Sequence, residues 1–149
     1  MYEGYYKSPV GILKVVGDDV IHSVSFVESE EVDKINGAVR ECIMQLDEYF
    51  RGERKDFSVP ILFDGSAFQE TVWRTLCEIP YGEVRTYGNI AKSIGNPGAM
   101  RAVGGANNKN KIAIIVPCHR VVNSTGLGGY ATGPWKKEWL LKHEKHFKC

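Results

Sequence analysis

The first 26 residues hold three short β-forming runs, Tyr2–Lys7, Gly11–Val16 and Val20–Phe26, separated by Ser8-Pro9 and Gly17-Asp18-Asp19. Runs this short, bounded by turn residues, read as strands. From Glu31 to Arg51 the spacing changes. Val32, Ile35, Val39, Ile43, Leu46 and Phe50 recur at helical intervals, and Gly52 is a natural stop. Pro60–Gly65 reads as a connection, and helices dominate beyond it. Ser66-Ala67-Phe68-Gln69 is a capping-box pattern opening a helix with Phe68, Val72 and Leu76 on one face. That helix should end before Pro80-Tyr81-Gly82. Thr86–Ile94 reads as a short helix, Gly95-Asn96-Pro97-Gly98 as a turn, and Ala99–Asn107 as a second helix. Together they have the outline of a helix-turn-helix. A last helix runs from about Pro134 to His146, with a stripe of Trp139, Leu140, His143 and Phe147 and with Glu144 beside it. The pattern predicts an α/β (α+β) chain. A small sheet-plus-helix domain over 1–60 supports a mostly helical domain over 64–149.

Several classes are excluded or set aside. No apolar run is long enough to span a membrane, and Met1-Tyr2-Glu3-Gly4 lacks the basic start and apolar stretch of a signal peptide. The expectation is a cytoplasmic protein. Cys42, Cys77, Cys118 and Cys149 are scattered, which predicts free thiols rather than a disulfide framework. His22, His119, His143 and His146 do not combine with them into a zinc-finger spacing, so no metal is expected. The net charge of +1 says nothing about a polyanionic partner, but its distribution does. Residues 1–83 carry 8 basic and 16 acidic side chains, whereas residues 84–149 carry 11 and 2. Such a basic second half suits nucleic acid. It equally suits docking on the acidic half.

The chemistry concentrates at Pro117-Cys118-His119-Arg120-Val121, behind the apolar run Ile112–Val116. The run pins the backbone in a core and Pro117 stiffens its exit. A thiol is thereby held beside a potential base, as an activated nucleophile requires. Taken alone, the pair fits a small buried hydrophobe as well. The helix Ala99–Asn107 is built of small residues, which permit close approach to a neighbouring helix or to a DNA minor groove, where base readout is degenerate.

Five ordered motifs extend the reading: Tyr81-Gly82-Glu83-Val84 with Thr86-Tyr87; Arg101-Ala102-Val103-Gly104-Gly105-Ala106; Asn110; Pro117-Cys118-His119-Arg120-Val121-Val122; and Lys137-Glu138-Trp139-Leu140-Leu141 with His143-Glu144. Over about residues 64–146 the chain resembles the O6-alkylguanine-DNA alkyltransferases, the methylated-DNA–protein-cysteine methyltransferases. The resemblance implies a ribonuclease-H-like N-terminal sheet. It also implies single-turnover transfer of an alkyl group from O6 of guanine, less efficiently from O4 of thymine, onto Cys118, with no cofactor. It makes His119 the general base, Glu144 the group that orients it, Tyr87 the donor to the departing guanine and Asn110 the brace around the cysteine. Arg101 would fill the gap left by a base flipped out of duplex DNA, with Ala102, Gly104, Lys109 and Arg120 along the same DNA contact. Val121, Tyr130, Ala131 and Trp135 would line the guanine pocket. The expected partner is double-stranded DNA carrying O6-alkylguanine, bound from the minor groove by a monomer. Ala131 stands where some relatives carry serine, and Gly126-Leu127-Gly128-Gly129 is one residue shorter than in some, which bears on the size of alkyl group accepted. Three rivals remain in view. A lesion-binding relative would lack the reactive cysteine. A Cys-His hydrolase would need an oxyanion hole. A helix-turn-helix regulator would bind DNA without regard to alkylation.

Overall fold

The computed structural model describes residues 1–130 and 133–148. The chain forms two compact units: Met1–Phe63 together with Lys111–Ala113, and Asp64–Asn110 together with the chain from Ile114 on.

In the first unit, β1 (Tyr2–Ser8), β2 (Gly11–Gly17) and β3 (Ile21–Val27) form an antiparallel meander in the order β1-β2-β3. Its register pairs Tyr5 with Lys14 and Leu13 with Phe26. Alternation puts Leu13 and Val15 in the core, which also takes Val39, Leu46 and Tyr49 of helix α1 (Gly37–Phe50). Gly4 lets β1 approach that helix, since a Cβ there would lie 2.7 Å from Ile43 Cδ1. The helix begins later than its apolar spacing predicts. Asn36 caps it by accepting the Val39 N–H at 2.9 Å. Just before the cap, Lys34 exchanges two 2.8 Å backbone bonds with Glu3. The segment before Asn36 is therefore tied down outside the helix, and Val32, in helical register by sequence, stands 87% exposed. On the edge of β3, Val24 bonds to Lys111 and Ala113 through the backbone (3.0 and 2.9 Å). The start of the apolar run is thus anchored in this unit.

The second unit contains α2 (Ala67–Leu76), β4 (Arg85–Thr86), α3 (Tyr87–Ser93), α4 (Met100–Asn108), a 3-10 turn (Cys118–Arg120), β5 (Val121–Val122) and α5 (Pro134–His146). The Ser66–Gln69 capping box is formed in both directions, at 3.1 and 3.0 Å. Thr86 and Asn89 make a second one that opens α3 at Tyr87 (3.0 and 2.9 Å). The α3–turn–α4 pair is a helix-turn-helix, with Gly95 in the left-handed region (φ 78°) closing the first helix. Val103 and Ala106 of α4 are buried, and the Trp73 indole of α2 donates to the Ala106 carbonyl at 2.9 Å. The other side of α4 is bare: Arg101, Ala102 and Gly105 are exposed, and a Cβ on Gly105 would meet nothing within 4 Å. The α5 stripe differs from its sequence reading. Lys137, Leu140, His143 and Glu144 point inward, while Phe147 is exposed. No helix among the described residues is long and apolar enough to cross a membrane.

Candidate active site

Two short segments of the second unit, far apart in sequence, meet in a parallel pair, Arg85 with Val121 and Thr86 with Val122. The pairing sets the N-terminus of α3, and so Tyr87, against the turn that carries Cys118. Upstream of that turn the backbone bends sharply. Ile114, β-branched and buried, has φ 72°. A residue of that shape in the left-handed region is strained, and packing on all sides must hold it there. Asn110 braces the bend by donating from Nδ2 to the Val116 carbonyl at 2.8 Å. It also hydrogen-bonds the Cys118 thiol. Asn107 donates to the Cys118 carbonyl at 3.3 Å. The cysteine is therefore gripped from both sides by the end of α4.

Cys118 is 7% exposed. Burial pushes its thiol up from the ordinary cysteine value, against opposing pulls from Asn110, the Lys137 charge and the Tyr130 hydroxyl. A base is needed to make it a nucleophile. His119, fully buried, supplies one. Its Nε2 lies 2.6 Å from Glu144 Oε2. Arg120 holds the same carboxylate in a fork, Nε to Oε1 at 2.8 Å and Nη2 to Oε2 at 3.1 Å, and its Nη1 donates to the Ile79 carbonyl at 2.8 Å. Burial alone would raise Glu144, but His119 and Arg120 hold it well below the carboxylate range. Burial likewise lowers His119, which is neutral at neutral pH. An ionised carboxylate only accepts, so Nε2 carries the imidazole hydrogen and Nδ1 keeps a lone pair. Nδ1 has no hydrogen-bond partner among the described residues. It is a base without competition.

Tyr87, half-buried at the start of α3, has its phenol pushed up by burial and by the neighbouring Cys118, and stays protonated. The Tyr130 hydroxyl lies buried against the thiol and is pushed well up in the same way. Gly128 takes φ 78°, and a Cβ there would sit 3.3 Å from both Tyr87 Oη and Lys137 Nζ. Among the described residues no group of three His, Cys, Asp or Glu side chains is placed to hold a metal ion.

The structure brings together Cys118, His119, Glu144, Asn110, Tyr87, Val121 and Tyr130. Arg101, Ala102 and Lys109 stand apart on exposed positions of α4 and its C-terminus. Gly104 turns instead toward the Tyr87 ring, its Cβ position 3.9 Å away. Arg120 is a correction: at 6% exposed, it bonds from each of its three nitrogens inside the core, to Glu144 and the Ile79 carbonyl, with the Tyr81 ring 5.7 Å away, so it faces the carboxylate and not the DNA surface. Trp135 stands 55% exposed at the start of α5, and Ala131 lies outside the described residues. Lys137 is the residue that sequence reasoning missed. It stood only as the first residue of the last motif, with no role assigned, yet it is 0% exposed. The signal was its spacing, since Lys137, Leu140 and Glu144 fall on one helix face.

Two family models match this chain. Residues 67–146 match the DNA binding domain of 6-O-methylguanine DNA methyltransferase, and residues 1–63 match its ribonuclease-like domain. The chain belongs to the 6-O-methylguanine DNA methyltransferase family. The methylated-DNA–protein-cysteine methyltransferase of Methanosarcina acetivorans is 48% identical, with 97% of this chain and 98% of that protein covered. The enzyme of the same name from Mycobacterium leprae is 46% identical over 93% of this chain and 89% of its own length. Among solved structures, Mycobacterium tuberculosis OGT in complex with DNA superposes with a TM-score of 0.91 at 43% identity, covering 99% of this chain and 94% of that one. Every residue gathered around Cys118, from Tyr87 to Glu144, lies within the methyltransferase DNA-binding-domain match.

Proposed function

We propose that this protein repairs DNA directly, by moving a methyl or larger alkyl group from O6 of guanine in duplex DNA, less efficiently from O4 of thymine, onto Cys118 in one irreversible turnover. The observation that carries this reading is a buried thiol beside a neutral histidine whose Nε2 is locked onto a carboxylate, while Nδ1 has no hydrogen-bond partner among the described residues. His119 takes the thiol proton through a water, and Glu144, clamped by Arg120, steadies the imidazolium that forms. The sulfur attacks the alkyl carbon, the carbon–O6 bond breaks, and Tyr87 donates to the departing base. The thioether has no route back to a thiol, so each molecule acts once, and no cofactor enters the balance.

A base inside the duplex stack cannot reach a buried thiol, so the lesion must be flipped out. The bare face of α4, with Arg101 beside Ala102 and Gly105, suits close approach to a minor groove, with Arg101 filling the gap. Damaged pairs flip most cheaply, which selects the lesion without reading sequence. The protein works as a monomer in the cytoplasm, with the first 60 residues as support.

The deciding experiment is intact-protein mass spectrometry and peptide mapping after incubation with a duplex carrying one O6-methylguanine. A gain of one methyl on Cys118 with stoichiometric loss of the lesion is the expected result. Tight lesion binding without mass gain would make this a recognition protein, and neither binding nor mass gain would overturn the DNA reading.

A further inference from the structure

The motif Tyr81-Gly82-Glu83-Val84 has no part in the transfer as described above. Residues 80–83 form a β-turn, closed by the Glu83 N–H on the Pro80 carbonyl at 3.1 Å, with Gly82 third at φ 80°. That is the third position of a type II turn, which favours glycine. The turn wraps the buried ion pair. The Ile79 carbonyl just before it accepts from Arg120 Nη1 at 2.8 Å, the Tyr81 ring lies 5.7 Å from the guanidinium, and the Gly82 N–H donates to Glu144 Oε1 at 3.3 Å. Glu144, 0% exposed, thus accepts from Arg120 and Gly82 on Oε1 and from His119 and Arg120 on Oε2. Turns of type I and type II differ mainly by about half a rotation of the peptide between their second and third residues. In the type II form that peptide aims its N–H at Glu144. In the type I form it would aim the Tyr81 carbonyl oxygen there, and attraction would become repulsion. Glycine at position 82 therefore decides whether the carboxylate meets a donor or an acceptor.

We propose that Gly82 is a positioning residue of the alkyl transfer, its left-handed turn aiming a backbone N–H at Glu144 Oε1 and so holding the carboxylate in line with His119. The inference rests on the alkyl-transfer reading above and adds no step to it. The thiol proton goes to His119, sulfur gains the alkyl carbon, and the electron pair of the broken carbon–oxygen bond stays on guanine, which is then protonated. Gly82 touches none of these atoms and acts through Glu144. The charged and titratable groups around the carboxylate are His119 and Arg120 from the 3-10 turn, Tyr81 from the β-turn and Tyr130 from the loop before α5, with the Lys137 charge of α5 acting on His119. An N–H aimed at a carboxylate favours its charged form. Exchanging that N–H for a carbonyl oxygen makes the carboxylate–histidine pair easier to protonate. Neutral His119 is the base, so the acid limb of the transfer rate moves to higher pH.

The test is the single-turnover rate of methyl transfer from a saturating O6-methylguanine duplex to the full chain, between about pH 5 and 9. Gly82→Ala disfavours the left-handed turn, whereas Gly82→Asn tolerates it. Both place the same Cβ 2.9 Å from the Lys148 stem, so crowding is common to the two. Gly82→Ala should move the acid limb up by about one unit, a tenfold loss of rate on that limb, with a smaller loss on the plateau. Gly82→Asn should keep close to the wild-type profile. Equal effects in the two variants, or a loss by the same factor at every pH, would overturn the proposal. Should Gly82→Ala fail to fold, the wild-type chain decides by NMR. Its Gly82 amide resonance should shift as the Glu144–His119 pair takes up its proton, and an amide unmoved through that range would overturn the proposal. Because the amide is read without DNA, a chain whose Gly82 amide follows the pair yet takes no methyl from the lesion duplex would refute the alkyl-transfer reading alone.

Discussion

Arg120 and Glu144 show how a side chain's chemistry depends on what buries it. An arginine beside a catalytic pair in a basic half looks like a phosphate contact. Here it is the clamp that keeps Glu144 ionised and so fixes the tautomer of His119. Removing one partner of a buried ion pair leaves the other charge uncompensated, which typically costs about 3–5 kcal/mol. Arg120→Met should lower unfolding free energy by about that amount in urea titrations, and should slow alkyl transfer while leaving the salt dependence of duplex binding unchanged. A shallower salt slope would return Arg120 to the DNA surface.

Helices α3 and α4 share one face between structure and function. Val103 and Ala106 pack inward and Gly104 meets Tyr87, while the outer face keeps Arg101 and little else. Arg101→Ala should therefore weaken repair of a lesion in duplex DNA far more than reaction with free O6-benzylguanine, since only the duplex requires a base to be flipped. Equal losses in the two assays would contradict that role. The loop between β5 and α5 carries its own test. Gly128 sits at φ 78° with Lys137 Nζ and Tyr87 Oη at 3.3 Å from any added Cβ. Gly128→Ala should cost about 1–2 kcal/mol of stability from the left-handed backbone. It should also reduce the alkyl-transfer rate, because the methyl displaces both groups at once. Thermal unfolding alongside the single-turnover rate would check both parts.

For the whole molecule, the buried charges set the response to pH. Glu144 is held below its ordinary value, so its contribution is present above about pH 4.3 and lost as pH falls through its folded value. His119 is held below about 6.5, so the unfolded chain takes up a proton first and stability falls as pH drops below that point. Lys137 acts at the other end: its folded value is about 8, against about 10.4 for a free lysine. Burying its charge is unfavourable below pH 8, and relief comes as pH rises between the two. The urea midpoint should fall from pH 7 toward pH 5; between about pH 8 and 10 the Lys137 contribution opposes the loss brought by the buried Cys42 thiol, held up at about 12, so Lys137→Met should make the alkaline fall steeper. The linear pattern already carried the three strands, the capping box at Ser66, the helix-turn-helix and the Cys118-His119 pair, because strand alternation, helix caps and a proline-stiffened exit are local physics. The start of α1 was misread because Lys34 is claimed by Glu3, a partner 31 residues away. Whether Arg120 faced DNA or Glu144, and whether Lys137 faced water or a thiol, depended on partners brought together only by the β4–β5 pairing and the packing of α5. A charged side chain's meaning is set by the dielectric and the neighbours around it, and those exist only once the chain has folded.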